Sequence, residues 1–159
     1  MTKGADLATK FEATNEDFIN RIQGLTDQQW AKECEETGWS VGVTAHHLAE
    51  SHATLGQLIA GVASGNSVPP ITPDMLNTIN AEHAQRAANV TRNETLQLAR
   101  TSGAQAAQIL RGLTDEQLQR TLEMPGPSGP ASMTAESITE NILIGHMGMH
   151  LPMIDRAIS

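Results

Sequence analysis

Residues 24–30 read GLTDQQW, and residues 112–118 read GLTDEQL. Each copy closes a stretch of helical periodicity with a glycine, which suits a helix end. Each then offers a Thr-Asp cap for a new turn and leads through an irregular stretch into a long apolar segment. A chain that repeats helix, capped break and helix twice builds two helical hairpins. Two such hairpins packed together make an all-α four-helix bundle.

The helices can be read outward from these breaks. In the first, Leu7, Phe11, Thr14, Phe18, Ile22 and Leu25 recur at helical spacing with acids and amides between them. The second starts at Ser40, a good N-cap, and carries Val41, Ala45, Leu48, Leu55, Ile59 and Val62 on one stripe. Ala63-Ser-Gly-Asn-Ser-Val-Pro-Pro breaks it. Residues 72–90 read as a short, mostly polar helix with Pro73 at its first position. A third long helix covers about 92–111, with a thin stripe of Leu96, Ala99, Gly103, Ala106, Leu110 and Leu113, small enough for close helix approach. Pro125-Gly-Pro-Ser-Gly-Pro130 is a rigid loop that excludes helix and central strand. The last helix should run from about Thr134 to Ala157, and no strand is expected. The 63–91 segment is too long for a hairpin turn, so it reads as a crossover that sets the second and third long helices parallel.

Bulk composition narrows the function. The 159 residues fit one domain, 1–159. There are 18 acidic and 10 basic residues, for a net charge of −8. That balance argues against nucleic acid and anionic membrane, which need a basic footprint. No stretch approaches a membrane span, and the N-terminus lacks an apolar signal region. One cysteine, Cys34, excludes an internal disulfide, so a cytoplasmic setting is expected. Cys34 lies in the acidic stretch KECEE, which should raise its pKa and leave a partly exposed spectator.

Chemistry concentrates in the histidines. His146 and His150 lie four apart in ILIGHMGMHLP, residues 142–152, and so share a helix face. Imidazoles at that spacing reach one divalent ion, or each separately bonds in the core. On the second helix, taking Leu48 as zero, His46 falls at about 160°, toward solvent, His52 at about 40°, and His47 at about −100°. His47 and His52 are therefore both candidates for a third ligand. His47 lies roughly 9 Å from the start of its helix and His150 roughly 12 Å from the end of its own, which match if those helices are antiparallel. His52, roughly 17 Å from the start, matches His146 if they are parallel. The crossover favours the antiparallel arrangement and His47. His83, beside Glu82, reads as a surface residue, Trp39 as core packing at the start of the second helix, and Met147, Met149 and Met153 as flexible core.

GWSVGVTAHHLAESH at 38–52 resembles the second-helix motif of DinB-like proteins: tryptophan, a capping serine, then a histidine directly before leucine. His47 takes that histidine's place. GHMGMHLPMI at 145–154 resembles the fourth-helix motif, with His146 and His150 in its two histidine positions. The middle section DMLNTINAEHAQRAANVTRNETLQLA at 74–99 is also similar. The resemblance implies an up-down-down-up bundle, often a homodimer, and a divalent metal, usually zinc or nickel, on three histidines. Related members include mycothiol-dependent maleylpyruvate isomerases and bacillithiol S-transferases, which implies a low-molecular-weight thiol cofactor. Pro152 departs from the pattern, because it removes the amide that would bond the carbonyl of Gly148 and should bend the helix beside His150.

Three imidazoles leave coordination positions open, which suits S-transfer to a small electrophile, thiol-assisted isomerisation or, with water, hydrolysis. Glu50, Ser51 and Asn141 are candidates to orient the rings. The competing reading is a non-catalytic bundle that binds a small apolar ligand or a protein, with the histidines as core polar groups. A homodimer is expected, because the Ala-rich third helix and the polar 72–90 segment leave apolar surface uncovered.

Overall fold

The structure, a computed structural model, describes residues 1–159. Four long helical rods form the bundle. They are α1 (Lys3–Gln23), α3 (Val41–Ala63), α5 (Arg92–Arg111) and a last rod in three pieces. That rod runs through α7 (Ala135–Ile138), a π-helical stretch (Thr139–Ile144) and α8 (Gly145–Ile158). Short helices α2 (Asp27–Trp30) and α6 (Asp115–Leu118) follow the first and third rods, and α4 (Pro73–Arg86) lies in the crossover.

Pairs along the rods fix their directions. Arg111 reaches Glu12 at 2.7 Å and Arg100 reaches Gln23 at 3.3 Å, so α1 and α5 are antiparallel. Ser102 Oγ donates to the carbonyl of Ala49, and a Cβ on Gly56 would lie 3.4 Å from Ala106, so α3 and α5 are parallel. Lys3 pairs with Glu136 and Arg21 with Asp155, so the last rod runs with α1. The order is up-down-down-up. The glycine and alanines of the α3–α5 seam allow the close approach that the thin stripe predicts. Phe11, Phe18, Ile22, Leu48, Ile59, Leu110, Ile138, Leu143, Met147 and Ile154 are among the buried side chains at the centre.

The sequence echo is a structural echo. Thr26 with Gln29, and Thr114 with Gln117, each close a reciprocal capping box. After each box comes an antiparallel two-stranded ribbon, contrary to the strand-free expectation. The first pairs β1 (Glu33–Cys34) with β2 (Trp39–Ser40), and the second pairs β3 (Thr121–Gly126) with β4 (Gly129–Thr134). Each ribbon delivers the next rod by the same bond: Val41 N–H donates to Lys32 at 2.8 Å, and Ala135 N–H donates to Arg120 at 2.9 Å. The prolines of 125–130 are tolerated because a two-stranded ribbon has only edges. Gly129 takes φ 115°, a conformation that L side chains rarely adopt.

The last rod stays helical through Pro152. Its irregularity lies earlier, in the π-helical turns just before His146. A π turn widens the helix and rotates the residues after it, and such turns are frequent at functional sites.

Candidate metal centre

His47 comes from the second turn of α3, and His146 and His150 from the first two turns of α8. The phase of α3 is set at its start, where Ser40 Oγ accepts from Val43 N–H at 3.1 Å. The antiparallel arrangement of α3 and the last rod then brings the three imidazoles together. His47 Nε2 lies 3.0 Å from His146 Nε2, and one ring nitrogen from each of the three lies within 4.8 Å of the others. Ring centroids are 4.7 Å apart for His47–His146 and His146–His150, and 5.3 Å for His47–His150.

Burial keeps these rings neutral. It lowers His47 to about 3, helped by neighbouring His146, His150 and His83, and lowers His146 to about 4. His150 is lowered by burial as well. Neutral imidazoles present lone pairs, which is the state a metal ligand needs. Two nitrogens bound at one ion would lie roughly 2.9–3.4 Å apart, so the His47–His146 pair is spaced to share one. His150 Nδ1 is buried without a hydrogen-bond partner, an unpaired polar atom beside the cluster. The donor set and its spacing therefore fit a divalent ion.

The surroundings differ from the expected orienting groups. Ser51 Oγ donates to the backbone carbonyl of His47 at 2.7 Å, not to a ring. Asn141 is exposed and bonds Ser137, and Glu50 turns toward Arg86 and His83. Trp39 is half-buried and stands edge-on to His47, with centroids 5.3 Å apart, so it covers the histidines rather than filling the core. Met147 is buried, Met153 is half-buried and Met149 is 57% exposed, so only part of the methionine set is core.

His52 is not in this cluster. It is buried, with Nε2 2.9 Å from Asn15 Oδ1 and its ring against Phe11 and Phe18. Asn15 Nδ2 in turn donates to the carbonyl of Ala99 at 3.1 Å. A Cβ on Gly103 would come within 2.3 Å of Asn15 Nδ2, so the glycine makes room for this chain of bonds. His52 is a satisfied core histidine whose pKa burial lowers to about 4.

Three expectations are corrected. His46 is half-buried and His83 is only 2% exposed, because α4 folds over the side of α3 that a four-rod bundle would leave to solvent. The pair meet at 2.9 Å, His46 Nδ1 to His83 Nε2. Cys34 is fully buried, with Thr44 Oγ1 3.6 Å from its sulfur. Its thiol is pushed up by burial first, against a smaller opposing effect of Thr44, and by Glu36 less.

Comparison with known proteins agrees with the bundle fold. YfiT from Bacillus subtilis, described as a probable metal-dependent hydrolase with an unusual four-helix bundle topology, superposes with a TM-score of 0.75 at 21% identity. The match covers 97% of this chain and 85% of that one. Mycothiol-dependent maleylpyruvate isomerase superposes with a TM-score of 0.71 at 14% identity, covering 94% of this chain and 59% of the other. Its H52A mutant matches over the same shares at 13% identity. These likenesses show the fold. No curated protein matches by sequence. No helix is long and apolar enough to cross a membrane. The sequence profile of one family matches residues 10–154, and the chain belongs to that family, the DinB superfamily.

Proposed function

We propose that the chain is a metal-dependent enzyme. Its divalent ion, zinc or nickel, is held by His47, His146 and His150, and its reaction is thiol-cofactor-dependent S-transfer or isomerisation of a small electrophile. The observation that carries this reading is the convergence of three neutral imidazoles from two antiparallel rods. Three protein donors leave positions open, as in reactive rather than closed structural centres. An ion with open positions supplies Lewis acidity, which acidifies a bound thiol or water.

The chain's own residues prepare that site. Burial holds the three rings neutral and ready as donors at neutral pH. Trp39 shields one side of His47 from water. The likeness to mycothiol-dependent maleylpyruvate isomerase supports a thiol as the second reactant, whereas the likeness to YfiT, described as a probable metal-dependent hydrolase, supports water. The proposal includes a cytoplasmic homodimer with no nucleic-acid or membrane role, consistent with the charge of −8. Ile71, Met75, Leu76 and Ile79, all exposed around α4, are apolar surface available for a dimer contact.

Metal analysis of untagged protein after dialysis against zinc or nickel tests the reading. His146→Ala should lose one bound ion per chain while its far-UV dichroism stays helical. Equal loading of the variant and the wild type would refute the site. Turnover of an electrophile panel that proceeds with water alone would reassign the reaction to hydrolysis.

A further inference from the structure

The only residue that α4 buries is His83. Met75, Leu76 and Ile79 on the same helix remain about half exposed. A crossover helix docked by the hydrophobic effect would turn those three inward. This one docks an imidazole, whose burial costs free energy unless its polar atoms are partnered. Nδ1 of His83 has no partner at all. The position gives up stability that a leucine would retain, and such local violations concentrate at functional sites.

The other ring nitrogen points to the function. His83 Nε2 lies 2.9 Å from His46 Nδ1 and 3.5 Å from Glu50 Oε2. One donor atom from each of these residues falls within 4.8 Å of the other two. The nitrogen spacing lies in the roughly 2.9–3.4 Å range of two imidazoles on one ion. Glu50 is anchored through its other oxygen, since Arg86 Nη1 donates to Oε1 at 3.2 Å. That leaves Oε2 facing the His83 ring at 3.5 Å, longer than a normal hydrogen bond. Arg86 is largely exposed, so water screens, without removing, the opposition of its charge to a cation here. An open pocket lined by His46, Arg86, Ala87, Asn89, Val90 and Glu94 gives access from outside.

We infer that His46 Nδ1, His83 Nε2 and Glu50 Oε2 form a second divalent-cation site beside the proposed three-histidine centre. Two nitrogens and one carboxylate suit a borderline transition ion such as zinc or cobalt. His46 and His47 are consecutive, and the His47 and His83 rings are 5.3 Å apart, so the two sites are neighbours. The second site cross-links the crossover helix to α3. Its loading should therefore order α4, whose apolar residues do not hold it down.

The test is cobalt titration of EDTA-stripped full-length protein, read by visible absorption and by metal analysis after desalting. Wild type should bind about two ions per chain, and His83→Ala and His146→Ala about one each. Glu50→Gln, which keeps the size and polarity of a partly exposed side chain, should weaken the second ion at least about tenfold; it serves if His83→Ala does not fold. In His146→Ala, cobalt should still slow hydrogen exchange across residues 73–86, and in Glu50→Gln it should not. One ion per chain that survives Glu50→Gln and His83→Ala but not His146→Ala would overturn the inference and leave the three-histidine reading standing. One ion that His146→Ala leaves in place and Glu50→Gln removes would do the reverse.

Discussion

At the residue scale, the six histidines divide by what each ring nitrogen meets. His52 meets Asn15 and is a matter of stability; the others converge in two groups. Asn15→Ala would leave the buried His52 Nε2–H unpaired, at a cost of roughly 1–3 kcal/mol in urea unfolding, with metal uptake unchanged. The pH dependence of the metal-free protein has a definite sign. Burial lowers the His pKa values in the folded state, so the unfolded chain binds more protons between the folded values and the ordinary 6.5. Stability should be flat above about pH 6.5 and fall as pH drops toward about 4. For His52 alone, lowered to about 4, the loss approaches roughly 3 kcal/mol. Melting temperatures across that range check the direction; a metal-free protein that gains stability on acidification would contradict it. In the sequence, His47 and His52 both fell at or inside one apolar stripe. The residue that separates them, Asn15, belongs to another helix and looked like a polar spacer. The sequence sets His46 and His83 at the surface because the crossover helix that covers the one and carries the other has no apolar stripe facing the bundle.

At the element scale, two threonines do equivalent work at separate places. Thr26→Ala and Thr114→Ala each remove a capping box and should each cost about 1 kcal/mol. Antiparallel α1 and α5 place these caps at opposite ends of the bundle, so the double variant should cost close to the sum of the two. Pro152 is the other informative position. Pro152→Ala restores an amide donor facing the carbonyl of Gly148, and should raise stability by about 1 kcal/mol or more while leaving metal uptake unchanged. Reduced uptake would mean that the proline helps to place His150. The long rods were legible because each has a continuous stripe and a side-chain cap at Thr2, Ser40, Thr91 or Thr134. The ribbons were not, because β1 and β2 span two residues each and the alternation in β3 is only Leu122 and Met124 before the prolines begin. The π-helical stretch leaves no sign in composition; TENILI scans as ordinary helix.

At the scale of the whole molecule, the up-down-down-up order follows from one sequence feature, the long 63–91 connection, and the parallel α3–α5 seam agrees with it. That order makes α3 antiparallel to the last rod, and so brings His47 to the level of His146 and His150. The apolar residues exposed around α4 lead to an expected dimer mass by light scattering at micromolar concentration; a monomer would refute that part of the proposal. Metal should stabilise the fold as any native-state ligand does, by about 4 kcal/mol when free ion exceeds its dissociation constant a thousandfold. A melting temperature unchanged by EDTA would argue against a resident ion.

The most direct test is an anomalous diffraction map at the zinc or nickel edge, from crystals of untagged protein soaked in that ion. A peak should appear within about 2.0–2.1 Å of one nitrogen each of His47, His146 and His150. A soaked crystal with no peak among those three rings would contradict the three-histidine centre.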